Sequence, residues 1–178
     1  WFIWKGNGLN GCEVGLGKTI QTIAIIKELK PETTLVLCPA ILKWQWKEEL
    51  ARFLPEASVT IVDGSQEERQ KLWNTKTCII IANYELLLRD MEILPKAWDL
   101  MVCDEATRIA NCWTKTYKTL YQIKAKYRIA LTGTPISNNP NEIWGILNWC
   151  WPGRLGKYRP FMDSYCVRNM WGGIFGYQ

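Results

Sequence analysis

An α/β domain, built as a parallel sheet with helices on both faces, is the architecture this sequence predicts. Three observations point to it. Short β-branched or apolar runs alternate with amphipathic helical stretches, and polar motifs fall just after the apolar runs. The composition, 48% hydrophobic and 22% charged over 178 residues, is that of one ordinary globular domain with a single substantial core.

Each element has its own reason. Thr19 to Leu29 follows a Gly-rich turn and sets Ile20, Ile23, Ala24, Ile26 and Leu29 on one helical side. Thr34 to Cys38 is an unbroken run of strand formers, stopped by Pro39. Leu42 to Phe53 is helical again, with Trp46, Leu50 and Phe53 on its apolar side and Pro55 just past its end. Val59 to Val62, Cys78 to Ile81, Leu100 to Cys103 and Arg128 to Leu131 read as further strands. Between and after them, short helices are predicted at Gln66–Trp73, Tyr84–Leu88, Thr116–Ile123 and Asn141–Cys150. The Gly- and Trp-rich stretch from Trp171 to Gln178 reads as an irregular end, and no repeat or linker is visible.

Composition also excludes chemistry. The chain has no His, which removes Ser-His-Asp triads, Cys-His pairs, HExxH zinc sites and any imidazole base within it. Its seven Cys are odd in number and form no CxxC pair, so no zinc framework is expected. Several sit in apolar runs (Cys38, Cys78, Cys103), where a reduced thiol behaves as a small hydrophobe, pointing to a reducing cytoplasmic or nuclear compartment. No run approaches the roughly 18 apolar residues of a membrane helix, so no membrane partner is expected. The chain begins at Trp1 rather than Met, which implies sequence upstream of it.

The net charge of +5 is local. Residues 108–128 carry six basic groups (Arg108, Lys115, Lys118, Lys124, Lys126, Arg128) and no acidic one. Such a stretch is either a phosphate-facing patch or a solvated helix face.

Three motifs carry chemistry. The first is Cys12-Glu13-Val14-Gly15-Leu16-Gly17-Lys18-Thr19, running directly into a helix. A phosphate loop needs glycines to turn backbone N–H groups inward, a Lys for the β/γ-phosphates and a hydroxyl for Mg²⁺, all at a helix N-terminus. Gly15, Leu16, Gly17, Lys18 and Thr19 supply these parts, although Cys12 occupies the first Gly position of the strict pattern. The plain alternative is a Gly-rich turn that merely caps a helix. The second motif is Leu100-Met101-Val102-Cys103-Asp104-Glu105-Ala106-Thr107, an apolar strand ending in two carboxylates 85 residues after Thr19. There, NTPases place a metal-holding Asp and a Glu that polarises water. The third, Ala130-Leu131-Thr132-Gly133-Thr134-Pro135-Ile136-Ser137-Asn138-Asn139, is another strand end opening into a polar loop.

In this order the three motifs resemble superfamily 2 helicase-type motors, and within them the Swi/Snf family of DNA-dependent ATPases. Glu13 with Gly15 to Gln21 is similar to the family's Asp-Glu-Met-Gly-Leu-Gly-Lys-Thr-Ile-Gln. Leu37-Cys38-Pro39-Ala40-Ile41-Leu42 with Trp46 and Glu49, Asn83-Tyr84-Glu85-Leu86-Leu87, and Leu131 to Asn139 with Asn141-Glu142-Ile143-Trp144 continue the pattern over nearly the whole chain. Thr107 stands where the family's Asp-Glu-x-His has His, and Cys12 where Asp is usual.

The resemblance implies an N-terminal RecA-like, ATP-binding lobe over residues 1–178, working on double-stranded DNA with a second RecA-like lobe that supplies an arginine finger. By it, Gly15, Leu16, Gly17 and Lys18 would hold ATP, and Thr19 and Asp104 the Mg²⁺. Glu105, with Asp104 and Lys18, would carry the catalysis. Thr107, Thr132, Gly133 and Thr134 would couple nucleotide to DNA. Pro39, Ala40, Lys43, Trp46, Asn83, Tyr84 and Glu85 would lie near the DNA backbone, where contacts position a motor without reading sequence. Hydrolysis by this chain alone is expected to be negligible. Of the eleven Trp, those at 44, 144, 149 and 151 are expected in core or interlobe packing, with Trp46 the exception. The rival readings are another superfamily 2 motor, such as an RNA helicase or restriction translocase, and a non-catalytic lobe that binds nucleic acid or protein.

Overall fold

A computed structural model describes residues 6–135, 140–168 and 174–177. Its centre is a six-stranded sheet in the order β1-β6-β5-β2-β4-β3. The strands are β1 (Gly8–Asn10), β2 (Thr34–Cys38), β3 (Val59–Ile61), β4 (Ile79–Asn83), β5 (Ala97–Asp104) and β6 (Lys124–Leu131). Every pairing in it is parallel. The helices are α1 (Lys18–Leu29), α2 (Lys43–Phe53), α3 (Gln66–Trp73), α4 (Tyr84–Arg89), α5 (Lys115–Gln122), α6 (Pro140–Cys150) and α7 (Tyr158–Tyr165). Two 3-10 turns, Ala40–Leu42 and Ala106–Ile109, follow β2 and β5.

β2, β4 and the carboxyl-terminal halves of β5 and β6 are almost entirely apolar and buried because both sheet faces are covered there. Successive residues point to opposite sides. Leu100 and Val102 join Ile23, Ile26, Trp46 and Leu50 of α1 and α2 in one core. Met101 and Cys103 join Trp73, Leu87, Leu120, Ile146 and Trp149 of α3 to α6 in the other. Arg128, the one buried cation of the basic stretch, caps this second core by donating to the carbonyls of Trp149 and Ile123, each at 2.9 Å.

The structure corrects several expectations. The buried face of α1 is Thr22, Ile23, Ile25 and Ile26, while Ile20 is 42% exposed and Ala24 lies outward. The helix is covered by both the sheet and α2, so the deciding row is rotated from the one the hydrophobic residues suggest. Trp44 is 60% exposed, whereas Trp144 and Trp149 are buried as expected. Residues 174–177 form strand β8, which pairs antiparallel with β7 (Cys166–Arg168), rather than an irregular end. β1 and α7 carry too few strand or helix formers to be read from sequence. Ile136 to Asn139 of the third motif lies outside the described residues. Among the described residues, no helix is long and apolar enough to cross a membrane and no His/Cys/Asp/Glu cluster could hold a metal. Cys12, Cys38, Cys78, Cys103, Cys112 and Cys150 are free thiols.

Strand order determines where the motifs meet. The loops after β1, β6 and β5 are neighbours at the carboxyl edge of the sheet, and the row Asn10, Leu131, Asp104 is in register. The loops after β2 and β4 continue along the same edge. Ligands bind at this edge in open α/β sheets.

Candidate nucleotide and nucleic-acid site

The loop between β1 and α1 is shaped by Gly15 and Gly17, at φ 87° and 71°, in the left-handed region that glycine enters without penalty. The N-terminus of α1 has no side-chain cap, so its first-turn N–H groups are open to an anion. Lys18 Nζ donates back to the carbonyls of Cys12 at 2.9 Å and Glu13 at 3.1 Å, which holds its cation over the loop. Gln21, the last residue of the loop match, and Asn10, which lies outside it, brace the loop. Asn10 donates to Gln21 Oε1 at 2.8 Å, and Gln21 donates to the Leu16 carbonyl at 2.8 Å. Asn10 escaped notice because a three-residue strand carries no periodic signal.

The loop after β6 is seated directly on this one. Thr132 is buried, its N–H donates to the Asn10 carbonyl at 3.1 Å, and its hydroxyl accepts from the Thr134 N–H at 3.1 Å. A Cβ at Gly133 would stand 2.8 Å from Val14 Cγ2, 3.5 Å from the Val14 N and 3.7 Å from Lys18 Nζ, so the two loops approach closely and a larger residue would push the Val14 side chain aside.

Asp104 ends β5 nearly buried. Its Oδ2 accepts the indole N–H of Trp46 at 2.8 Å and its Oδ1 the N–H of Glu105 at 2.9 Å. Tyr84 Oη donates to the Asp104 carbonyl at 2.6 Å. Burial pushes the Asp104 carboxyl above its usual range, opposed by these hydrogen bonds and by the Lys18 charge. Glu105 stands exposed on a left-handed backbone, φ 51° and ψ 56°, that non-glycine residues rarely adopt and that clusters at functional sites. Thr107 is exposed and its hydroxyl reaches the Glu105 carbonyl at 3.4 Å.

Gly15, Lys18, Thr19, Asp104 and Glu105 thus line one cavity of about 310 Å³, which also takes in Trp46 and Glu49. Oε2 of Glu49 is a buried acceptor without a partner. The hydroxyl of Thr19 and the carboxylate of Asp104 are hard oxygen donors of the kind Mg²⁺ prefers, and each Asp104 oxygen keeps a lone pair beyond its one hydrogen bond.

The residues expected near DNA divide. Ala40 is exposed and Pro39 half-buried, beside Ile41 at 86% exposure. Glu85 is exposed, accepting from Asn83 Nδ2 at 2.7 Å and pairing with Arg108 at 3.2 Å. The side chains of Lys43, Trp46 and Tyr84, expected near the DNA backbone, turn inward. Lys43, 4% exposed, donates to the Val62 carbonyl at 3.1 Å and to Asp63 at 2.8 Å. Trp46, 1% exposed, and Tyr84 are both spent on Asp104. Asn83 is nearly buried as well.

Residues 2–170 match the model of the SNF2-related domain. Over 167 residues the chain is 36% identical to helicase SWR1 of Cryptococcus neoformans var. neoformans, covering 86% of this chain and 13% of that protein. It is 38% identical over 172 residues to the probable ATP-dependent DNA helicase CHR23 of Arabidopsis thaliana, covering 89% of this chain and 16% of that one. The solved SWI2/SNF2 ATPase core of Sulfolobus solfataricus in complex with double-stranded DNA superposes with a TM-score of 0.84 at 36% identity, over 93% of this chain and 36% of that chain. The chain therefore spans only a small part of the two curated relatives and about a third of the solved one. The parallel sheet is the RecA-like α/β fold of that core. Motif order, fold and sequence agree over most of the chain's length, and on that agreement the chain belongs to the SNF2-related domain family, the Swi/Snf branch of superfamily 2 ATPases.

Proposed function

We propose that this chain is the ATP-binding lobe of a motor that translocates on or remodels double-stranded DNA, completed by a second RecA-like lobe. The observation that carries the reading is the convergence of Lys18, Thr19, Asp104 and Glu105 on one cavity at an uncapped helix N-terminus. Backbone N–H groups of the Gly15 to Lys18 loop receive the β/γ-phosphates, and Lys18 exchanges its two carbonyl partners for phosphate oxygens. Thr19 and Asp104 would hold Mg²⁺, which would supply positive charge against the phosphate oxygens. Glu105 orients the attacking water and takes its proton. Thr132, Gly133 and Thr134 lie on the nucleotide loop and couple it to the DNA side, and Thr107 occupies the acidic-box position from which the same coupling is read.

DNA meets the outer edge of the loops after β2 and β4, through Pro39, Ala40 and the backbone around Asn83 and Glu85. The cavity is open on one side, where Val14 and Leu16 stand exposed. A site open to water does not hold a hydrolytic transition state firmly, so the chain alone turns ATP over weakly and the partner lobe closes it. The named solved relative, bound to double-stranded DNA, supports duplex DNA over RNA as the track. The test is ATP hydrolysis by the complete protein with duplex DNA, single-stranded DNA or RNA added. Strongest stimulation by duplex is expected; stimulation by RNA alone turns the reading to an RNA motor, and no nucleotide binding at all turns it to a non-catalytic lobe.

A further inference from the structure

We infer that Trp46 is a positioning residue for Asp104, holding the metal-binding carboxylate in one orientation through its indole N–H. The inference rests on the nucleotide reading above and adds to it a residue that the DNA-contact expectation had placed elsewhere.

A carboxylate at a strand end turns freely about two bonds, and a metal ligand that turns must be ordered each time the metal binds. Asp104 is tethered at both oxygens. One tether is local, the N–H of Glu105 at 2.9 Å on Oδ1. The other comes from an element 58 residues earlier, the Trp46 indole at 2.8 Å on Oδ2. Two bonds to two oxygens define the plane of the carboxylate, and the Tyr84 hydroxyl on the Asp104 carbonyl at 2.6 Å anchors the backbone beneath it. Each oxygen keeps a further lone pair, and Asp104 lines the same cavity as Thr19 and Lys18.

The indole is itself immobile. Its ring packs in the core with Ile23, Leu50, Ile81 and Val102, and burying its N–H without an acceptor would be costly. Trp46 also lies on α2, so the carboxylate is held by an element outside its own strand and turn. Phe at this position keeps an aromatic ring in the core, leaves a gap where the second ring of the indole lay, and provides no donor. Groups that orient a metal ligand from behind are worth about 10–100-fold in metal affinity or activity when removed.

Trp46→Phe separates this role from packing. Binding of a fluorescent ADP analogue to the purified chain is measured with and without Mg²⁺, alongside thermal melting. The expected result is a Mg²⁺ midpoint raised about 10–100-fold, restored by excess Mg²⁺, with Mg²⁺-free nucleotide binding unchanged and a melting temperature lowered only by the lost packing and hydrogen bond. A purely structural role lowers melting temperature and Mg²⁺-free binding together and leaves the Mg²⁺ midpoint in place. That outcome overturns the inference.

Should the variant not fold, the indole ¹H–¹⁵N resonance of Trp46 in the wild-type chain decides. It shifts on adding Mg²⁺ with ADP if the bond to Asp104 is part of the metal site, and indifference to Mg²⁺ refutes that. A wild-type chain that binds no nucleotide brings down the underlying reading as well. Normal wild-type binding with an unchanged variant midpoint removes only the role of Trp46.

Discussion

The loops after β1, β5 and β6 and the loops after β2 and β4 share one sheet edge, yet the residues assigned to them met different fates. In the first group Lys18, Thr19, Asp104 and Glu105 line one cavity, and Thr132 and Gly133 pack against the loop that borders it. In the second, Lys43, Trp46 and Tyr84 point into the protein, and the exposed surface consists of Ala40, Ile41, Trp44 and Glu85. Phosphate binding by a loop depends on backbone N–H groups and glycine dihedrals, which a short motif dictates locally. Contact through a long side chain depends on which way the helix is rotated, and packing decides that. The comparison teaches that a motif is a safer guide to where a backbone goes than to where its Lys or Trp points.

Several substitutions would break or sharpen this contrast. The largest effect is expected from Glu105→Gln in the complete protein, where ATP hydrolysis falls about 10²–10⁴-fold while nucleotide binding persists, since only the proton acceptor is lost. Steady-state rates compared with equilibrium nucleotide binding check it, and near-wild-type turnover would dismantle the assignment of this cavity. Next, Lys18→Ala removes a charge-assisted bond to phosphate and weakens ADP binding roughly 10–150-fold, read by titration with the fluorescent analogue.

Lys43→Met tests the second group directly. A buried amine paired with the Val62 carbonyl and Asp63 is structural, so its loss costs about 1–3 kcal/mol of stability. The salt dependence of DNA binding keeps its slope, whereas a phosphate-contacting Lys would lower the slope by about 0.9. The same variant has a pH signature. The hydrogen bond from Lys43, with that from the Gly64 N–H, holds the Asp63 carboxyl below its ordinary value of 3.8. A carboxyl lowered on folding contributes stability that is full above the ordinary value and is lost as pH falls through the lowered one. Melting temperature measured across acid pH therefore declines below 3.8 more steeply in the wild type than in Lys43→Met.

The smallest effect belongs to the rim. Glu85 and Arg108 are both about half exposed at 3.2 Å, so a double-mutant cycle on stability gives only about 0.2–1 kcal/mol, diminishing in high salt. A larger coupling would mean that the rim is more organised than its exposure implies.

Much of the fold was legible beforehand. Thr34 to Cys38 has the bounds expected of it because it is a five-residue run of strand formers stopped by Pro39, and the short helix expected at Gln66–Trp73 is fixed at its start by a Ser65 capping box that the structure reveals. β1 was not, since Gly8–Asn10 is a strand only by virtue of its partner β6. The face of α1 was misjudged because hydrophobicity marks Ile20 and Ala24 as candidates for burial and only the position of α2 rejects them. At the site, Lys18, Thr19, Asp104 and Glu105 could be named from spacing. The bonds from Trp46 and Tyr84 to Asp104 could not, because nothing in residues 46, 84 and 104 announces that they meet.

What the sequence determined by itself is the alternation of strands and helices and the separate motifs whose order marks the family, because each element and motif is written in residues within a few positions of one another. What only the tertiary structure decided is which side chains surround Asp104, how closely the loop at Gly133 approaches Val14, and that Lys43 pairs with Asp63. Those outcomes depend on strand order and on the rotation of α2 against the sheet, and both are set by burial of the whole core at once rather than by any local run of residues.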